Sequence, residues 1–384
     1  MTRSSKNATI KPYHSPMILE KLHLHHFRNY ENELIDFSPS LTLLIGKNGQ
    51  GKTNLLEAIF FLVFGKSFRS DKIKEVMFWG ETQMHVQALI KYENEKRNRK
   101  IDISCNVNGH LLEKNMCIDE VPVKHFDYLG TYNAVLFLPD DLNMIDLEPS
   151  LRRRFMDITL SQVDPQYAYQ LTKYGKILKI RNKLLQQIQM RKSESAELVF
   201  WDEALAEYGT AIIQKRIFFI DSLNQKTSEL YSAVAEKKHD LLCHYEPSFK
   251  SRENIHKEFL QNLQEKTPGD LLRGHTSIGP HRDDLSFSIN GRDARGTASR
   301  GEYRTLVLVL KMLELDFIEE KTKKRPIFLL DDISSELDES RRKALFQLLG
   351  KQQSIITSTD ETLWNSIHSE GKYIYHVEAG KVRE

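Results

Sequence analysis

One eight-residue stretch, Gly46-Lys47-Asn48-Gly49-Gln50-Gly51-Lys52-Thr53, limits what the rest of the chain can fold into. Before it lies a short apolar, β-prone run, Leu41-Thr42-Leu43-Leu44-Ile45, of the length a buried strand needs. After it, residues 54–62 are apolar around a full helical turn and contain no breaker. Strand, glycine loop, lysine, hydroxyl and helix together make a phosphate site. The glycines let backbone N–H groups close around phosphates, and the new helix points its positive end at them. Lys52 is placed to reach β- and γ-phosphates, and Thr53 to hold Mg²⁺ through its hydroxyl. The stretch implies a nucleoside triphosphate, ATP or a relative, on an α/β framework.

A chain of 384 residues has room for two or three domains and a substantial core. Its formal net charge is only +2, so any nucleic-acid surface must be a local basic patch offset elsewhere. The three cysteines, Cys105, Cys117 and Cys243, lack paired metal-site spacing. Cys105 and Cys117 flank the hairpin signal Asn108-Gly109 and could face each other across a ladder, although reduced, packed thiols fit better. Residues 1–16 are polar and read as a disordered extension. No apolar run approaches membrane-spanning length, so a cytoplasmic chain with no membrane partner is expected.

Taken in order, Ile18 to Leu24 alternates as a half-buried strand, and Phe27-Arg28-Asn29-Tyr30 leads to a second strand near Glu33 to Phe37. These two are expected to form an antiparallel start to the phosphate-loop sheet. Tyr30 reads either as a base-stacking residue with Arg28 on phosphate or as an exposed aromatic at a hairpin corner. Further antiparallel strands are expected from Met84 to Lys91 and from Ile101 to Val121, and a buried strand from Ala134 to Leu138. From about 165 to 265 glycine becomes scarce and amphipathic helices dominate, with Leu171, Tyr174, Ile177, Leu178, Leu184, Leu185 and Ile188 at helical spacing. Lys173, Lys176, Lys179, Arg181, Lys183, Arg191 and Lys192 give that segment a basic face, which is either solvated surface or a nucleic-acid contact. Strand character is expected again after Thr267-Pro268-Gly269, with Ile278 to Asp284 tying the helical arm back to the sheet.

Two later features complete a site. Ala298-Ser299-Arg300-Gly301 opens an apolar helix and makes a second anion-friendly terminus. Ile327-Phe328-Leu329-Leu330-Asp331-Asp332 is a buried strand that delivers two carboxylates to the sheet's carboxyl edge. Asp331 is expected to complete Mg²⁺ coordination, and Asp332 to orient an attacking water. A further buried strand, Ser354 to Asp360, ends in hydroxyls suited to sensing a γ-phosphate.

The order of these motifs resembles the ATP-binding-cassette ATPases, specifically their SMC-like branch, and within it the RecF family. The residues that carry the likeness are Phe27 to Tyr30, Gly46 to Ala58, Leu138 to Leu142, Arg152 to Asp157, Gly279 to Asp284 and Leu330 to Asp338. The resemblance implies an ABC/SMC-like P-loop head built from residues 17–160 and 273–384, with a mainly helical arm at 161–272. It implies an ATP-gated, head-to-tail homodimer on DNA, both double-stranded and at gap junctions. It further implies slow hydrolysis, help in loading recombinase at gaps and stalled forks, a link to the SOS response, and partnership with RecR and RecO. Carried over residue by residue, Gly46, Lys47, Asn48, Gly49, Gln50, Gly51, Lys52, Thr53 and Arg28 are nucleotide contacts. Thr53 and Asp331 are metal-side groups, and Lys52 and Asp332 serve hydrolysis. Ser299 and Gly301 form the signature that meets the partner subunit's nucleotide. The γ-phosphate sensor is left among Thr357, Ser358 and Asp140. The rivals are the energising subunit of a membrane transporter and a small-molecule kinase. Neither uses the Ser299 helix, the paired acids and the long helical arm together.

Overall fold

The computed structural model describes residues 17–92, 97–109, 111–249, 254–332, 337–360 and 371–384. The expected N-terminal extension, residues 1–16, lies outside these, as do Ser335 and Glu336. In chain order the elements are β1 (Met17–Phe27), β2 (Tyr30–Asp36), β3 (Leu41–Ile45), α1 (Lys52–Phe64), β4 (Gln83–Tyr92), β5 (Arg99–Asn108), β6 (Leu111–Ile118), β7 (Val121–Pro122), α2 (His125–Tyr128) and β8 (Ala134–Phe137). Then come α3 (Pro149–Val163), α4 (Pro165–Gln189), α5 (Leu198–Asn224), α6 (Thr227–Ala235), β9 (Leu241–Glu246), α7 (Ile255–Arg273), β10 (Asp284–Ile289) and β11 (Arg292–Asp293). The chain closes with α8 (Arg300–Thr322), β12 (Ile327–Asp331), α9 (Glu339–Leu349), β13 (Ser354–Ser358), β14 (Tyr373–Glu378) and β15 (Lys381–Arg383).

The phosphate-loop strand sits in a sheet of order β15-β14-β3-β13-β12-β8, parallel throughout except for the β14–β15 hairpin. Its central strands β3, β12 and β13 are buried at every position, as a sheet covered on both faces requires. Strand alternation divides their side chains between two cores. Leu44, Ile327, Leu329 and Ile355 pack toward α1, whereas Leu43, Phe328, Leu330 and Ile356 pack with the core that contains α3, α5 and α8. Helix α1 is apolar all round because it belongs to a core walled on one side by this sheet and on the other by a second one.

That second sheet, β2-β1-β4-β5-β6-β7, is antiparallel and corrects the expectation for the first two strands. They do not extend the parallel sheet. In β1 only alternate residues such as Leu22 and Leu24 are buried, a pattern suited to a sheet with one wet face. One side chain fastens the two sheets together. Buried Gln353 donates through Nε2 to the carbonyls of Leu19 and Ser38, each at 2.8 Å, and its Oε1 accepts from Leu19 N at 2.7 Å.

Other expectations also need revision. Cys105 lies opposite Lys114, and Cys117 opposite Asp102, so the two thiols do not face each other. The hairpin turn sets that register. Helix α7 runs straight through Thr267-Pro268-Gly269 instead of ending there. Proline gives up one helical hydrogen bond, which the packing of Phe259 and Leu263 outweighs. Arg181 is not part of a basic face. It is fully buried, pairs with Asp202 at 2.6 Å and Asp270 at 3.1 Å, and donates to Thr276 at 2.8 Å. Residues 278–284 do bind the helices to the sheets. Tyr174 donates to His281 Nδ1 at 2.7 Å, Asp284 holds buried Arg152 through two bonds, and Ser248 N donates to Asp283 at 2.7 Å.

Candidate nucleotide site

The loop between β3 and α1 lies at the carboxyl ends of β3, β12 and β13. It opens with Gly46 N donating to the carbonyl of Ser358, the last residue of β13, at 3.2 Å. Gly51 caps α1 at a φ of 120°, and a Cβ there would sit 2.6 Å from the Asn29 amide. Backbone conformation and space both require glycine at that position. Lys52 Nζ donates to the carbonyls of Gly46 at 2.6 Å and Lys47 at 3.0 Å, which places the ammonium within the ring of the loop. Burial lowers its pKa, and the carboxylates of Asp332 and Asp331 oppose that shift.

Thr53 and Asp331, 278 residues apart, meet here. The threonine hydroxyl lies 2.9 Å from both oxygens of the carboxylate. A hydroxyl and a carboxylate are the hard oxygen donors that Mg²⁺ prefers, and among the described residues no cluster of three or more acids, histidines or cysteines could cage a metal. Such a pair fits an ion that takes its remaining ligands from phosphate and water. Asp332, one residue past β12, turns into the left-handed region at a φ of 47°. Its N–H points at Thr357, 3.0 Å from Oγ1 and 3.2 Å from the carbonyl.

Of the three γ-phosphate sensor candidates, two have their hydroxyls engaged elsewhere. Thr357 is fully buried and donates to Asp331 Oδ1 at 2.7 Å. Ser358 Oγ donates to the Asp360 carbonyl at 2.9 Å. Asp140 is exposed on the wall of a cavity of about 580 Å³ that also holds Thr53 and Asp331. Its neighbour Asp141 is tied to buried Lys311 at 3.3 Å, which in turn reaches Glu314 at 3.3 Å and the Leu136 carbonyl at 2.7 Å.

The turn before β2 is part of the loop's support. Tyr30 is wholly buried, which corrects both earlier readings of it, and its hydroxyl donates to the Gly51 carbonyl at 3.0 Å. Asn29 donates to the Gln50 carbonyl at 3.0 Å and accepts from Asn54 at 2.8 Å. From the far end of the chain, Ala379 N donates to Gln50 Oε1 at 2.8 Å, and Gly380 N to its carbonyl at 3.0 Å. Arg28 grips buried Glu57 with two bonds, 2.9 and 2.6 Å, and so lies against α1 one turn beyond Thr53. Asn29, Glu57 and the 379–380 turn were not legible as site residues. Lys311 and Glu314 left a faint signal, as charges three apart inside an apolar helix.

Ser299 caps α8, accepting from Glu302 N at 3.2 Å while Glu302 takes bonds back from it. Those bonds lower the Glu302 pKa. Neither Ser299 nor Gly301 lines the cavity that holds Thr53 and Asp331. The structure brings the phosphate loop, the paired acids and Thr357 together, and sets the Ser299 terminus apart.

A P-loop on the carboxyl edge of a parallel sheet, a strand-borne acid facing its threonine, and a capped helix held separately define an ATPase head of the ABC/SMC type. The model of the RecF/RecN/SMC N terminal domain matches residues 18–382. A protein of Lachnoclostridium phytofermentans, "DNA replication and repair protein RecF", is 38% identical over 374 residues, covering 96% of this chain and 100% of that one. The protein of that name in Clostridium acetobutylicum is 36% identical over 344 residues, 89% of this chain and 93% of the relative. A solved structure described as "Structure of the recombination mediator protein RecF-ATPrS in RecFOR pathway" superposes with a TM-score of 0.87 at 32% identity, covering 96% of this chain and 98% of that one. The chain belongs to the RecF family. Among the described residues no helix is long and apolar enough to cross a membrane.

Proposed function

We propose that this chain is an ATP-gated DNA-binding protein of recombinational repair and replication, working as a homodimer with RecR and RecO. The observation that carries the reading is a divided site. Lys52, Thr53, Asp331 and Asp332 converge on one sheet edge, while the Ser299–Gly301 terminus stands outside the cavity that Thr53 and Asp331 line. A second copy related by two-fold symmetry would place its Ser299 terminus over this chain's phosphate loop, and this one's over its partner's.

In the proposed site, residues 46–52 hold the phosphates and Lys52 neutralises the β- and γ-oxygens. Thr53 and Asp331 would hold Mg²⁺, which would neutralise phosphate charge when bound. Asp332 accepts the proton of the attacking water. An aspartate at that position, shorter than the glutamate of many cassette ATPases, suits slow hydrolysis that times release from DNA. Arg28 is proposed to act through Glu57, setting the start of α1.

Mixing two inactive chains tests the shared site. With Lys52→Met in one and Ser299→Arg in the other, a mixed dimer holds one site with both lesions and one with none. Half the dimers are mixed on equal mixing, so about a quarter of wild-type hydrolysis should return. Failure to recover activity, together with crosslinks from ATP to Ser299 only within one chain, would refute the shared site. Asp332→Asn should keep ATP-driven dimerisation, followed by sizing on duplex DNA, while stopping hydrolysis.

A further inference from the structure

A larger cleft, about 830 Å³, opens beside the nucleotide cavity between residues 64–71, α3 and α4. The two cavities share a wall of Phe60, Phe68, Arg69, Arg154 and Ile158. Its lining is unbalanced in charge. Lys66, Arg69, Arg153 and Arg154 line it, against the carboxylates of Asp71 and Asp157. Asp157 is taken by Arg216 at 2.8 Å and by the Tyr167 hydroxyl. The acids nearest Arg153 beyond the cleft are also engaged, Asp284 by Arg152 and Arg295 and Asp283 by Tyr245 and Ser248 N. Among the described residues, Lys66, Arg153 and Arg154 have no carboxylate within 4.0 Å. Arg153 and Arg154 donate instead to the carbonyls of Asp283 at 2.9 Å and Phe68 at 2.6 Å, and Asp284, Asp157 and Asp283 act on Arg153 only from a distance.

Of the three cations, Arg153 is half-buried while Lys66 and Arg154 are exposed to solvent, so the group is open to an incoming anion. Burial, with Arg216 adding like charge, lowers the Arg153 pKa, and His281, which also lines the cleft, is pressed down to about 4 by burial with Arg282, Arg153 and Arg216 around it. Phe64, Leu171 and Leu178 add apolar surface to the lining, and Ser161 and Thr172 add hydroxyls. Cations and apolar side chains lining one cleft, with a volume in the usual range for ligand pockets, suit a phosphomonoester with a flat or apolar body.

We propose that this cleft is a second site, distinct from the phosphate loop, that takes a phosphorylated nucleoside with its phosphate on Lys66, Arg153 and Arg154. Its ligand is either a free nucleoside monophosphate or the phosphorylated end of a single strand. Two hydrogen bonds tie the cleft lining to the helix of the first site. Asn54, next to Thr53, accepts from Arg69 at 2.7 Å, and Ser67 donates to Glu57 in the same loop.

The test uses the full chain carrying Lys52→Met, so that the phosphate loop does not compete. Equilibrium dialysis with thymidine 5′-monophosphate should find one bound equivalent per chain, and thymidine should not displace it. A 5′-phosphorylated oligothymidylate that displaces the monophosphate assigns the site to strand ends, and failure to do so assigns it to the free nucleotide. Arg153→Gln with Arg154→Gln should weaken binding at least tenfold. Lys66→Gln, at an exposed position with no role in folding, should weaken it several-fold. The proposal is overturned if neither probe binds, if binding is indifferent to all three substitutions, or if a 5′-hydroxyl oligonucleotide displaces the monophosphate.

Discussion

Replacing Thr357 with valine removes one hydroxyl from beneath the metal-side acid and changes little else in shape. That hydroxyl donates to Asp331 Oδ1 at 2.7 Å and accepts from Asp332 N at 3.0 Å. In the Thr357→Val protein a buried methyl group faces the carboxylate, which is then held on that side by Thr53 alone. A hydrogen bond to a charged group contributes about 1.5–3 kcal/mol, and a bond that orients a metal ligand is worth about 10–100-fold in metal affinity. The Mg²⁺ concentration for half-maximal ATP binding should therefore rise about 10–100-fold. Folding stability should fall by only about 1–2 kcal/mol, because Asp332 N keeps the Thr357 carbonyl at 3.2 Å. Thr357→Ser restores the hydroxyl and should return the Mg²⁺ midpoint to near its original value. The assay is a Mg²⁺ titration at fixed ATP, with urea unfolding as a check on the fold. An unchanged midpoint combined with lost discrimination between ATP and ADP would refute the argument, because Thr357 would then be reading the γ-phosphate.

Stability should also depend on pH through His281, whose pKa falls from 6.5 to about 4 on folding. The unfolded chain binds the proton more tightly, so stability is full above pH 6.5 and declines as pH drops toward 4. Between pH 7 and pH 5 the loss should be about 2 kcal/mol by urea unfolding, and His281→Gln should flatten that slope. Gly380→Ala puts a Cβ 2.1 Å from the Asn29 carbonyl oxygen at a φ of 74°. The left-handed backbone alone costs about 1–2 kcal/mol there. Losing the turn's hold on Gln50 should weaken ATP binding as well as lower the unfolding midpoint, and a variant with both unaltered would show that the 379–380 turn does not support the loop.

The parts of the site readable in the sequence are those encoded locally. A strand, a glycine loop and a helix in succession place Lys52 and Thr53, and an apolar run ending in two acids places Asp331, because side-chain period and loop chemistry act within a few residues. Arg181 carried a signal that its charge concealed. It lies four residues from both Ile177 and Leu185, on the apolar stripe of α4, and burial follows position. Tyr30 and Gln353 gave no comparable cue, since their burial depends on contacts with segments 21 and 334 residues away. The membership of β1 and β2 in a separate sheet was present in the alternation of β1, set against the unbroken apolar runs of β3 and β12. The helical run through Pro268 was not, because tertiary packing overrode a local breaker.

The strand that delivers the phosphate loop has both of its neighbours, β13 and β14, in the closing part of the sequence. Gln50 waits for Ala379, which follows it by 329 residues. During synthesis at the usual 5–20 residues per second, that is an interval of about 15 to 60 s in which the loop exists without its frame. A growing chain on the ribosome thus has no competent ATP site until almost all of its sequence has emerged. Chains cut short by a premature stop before β13 lack it altogether.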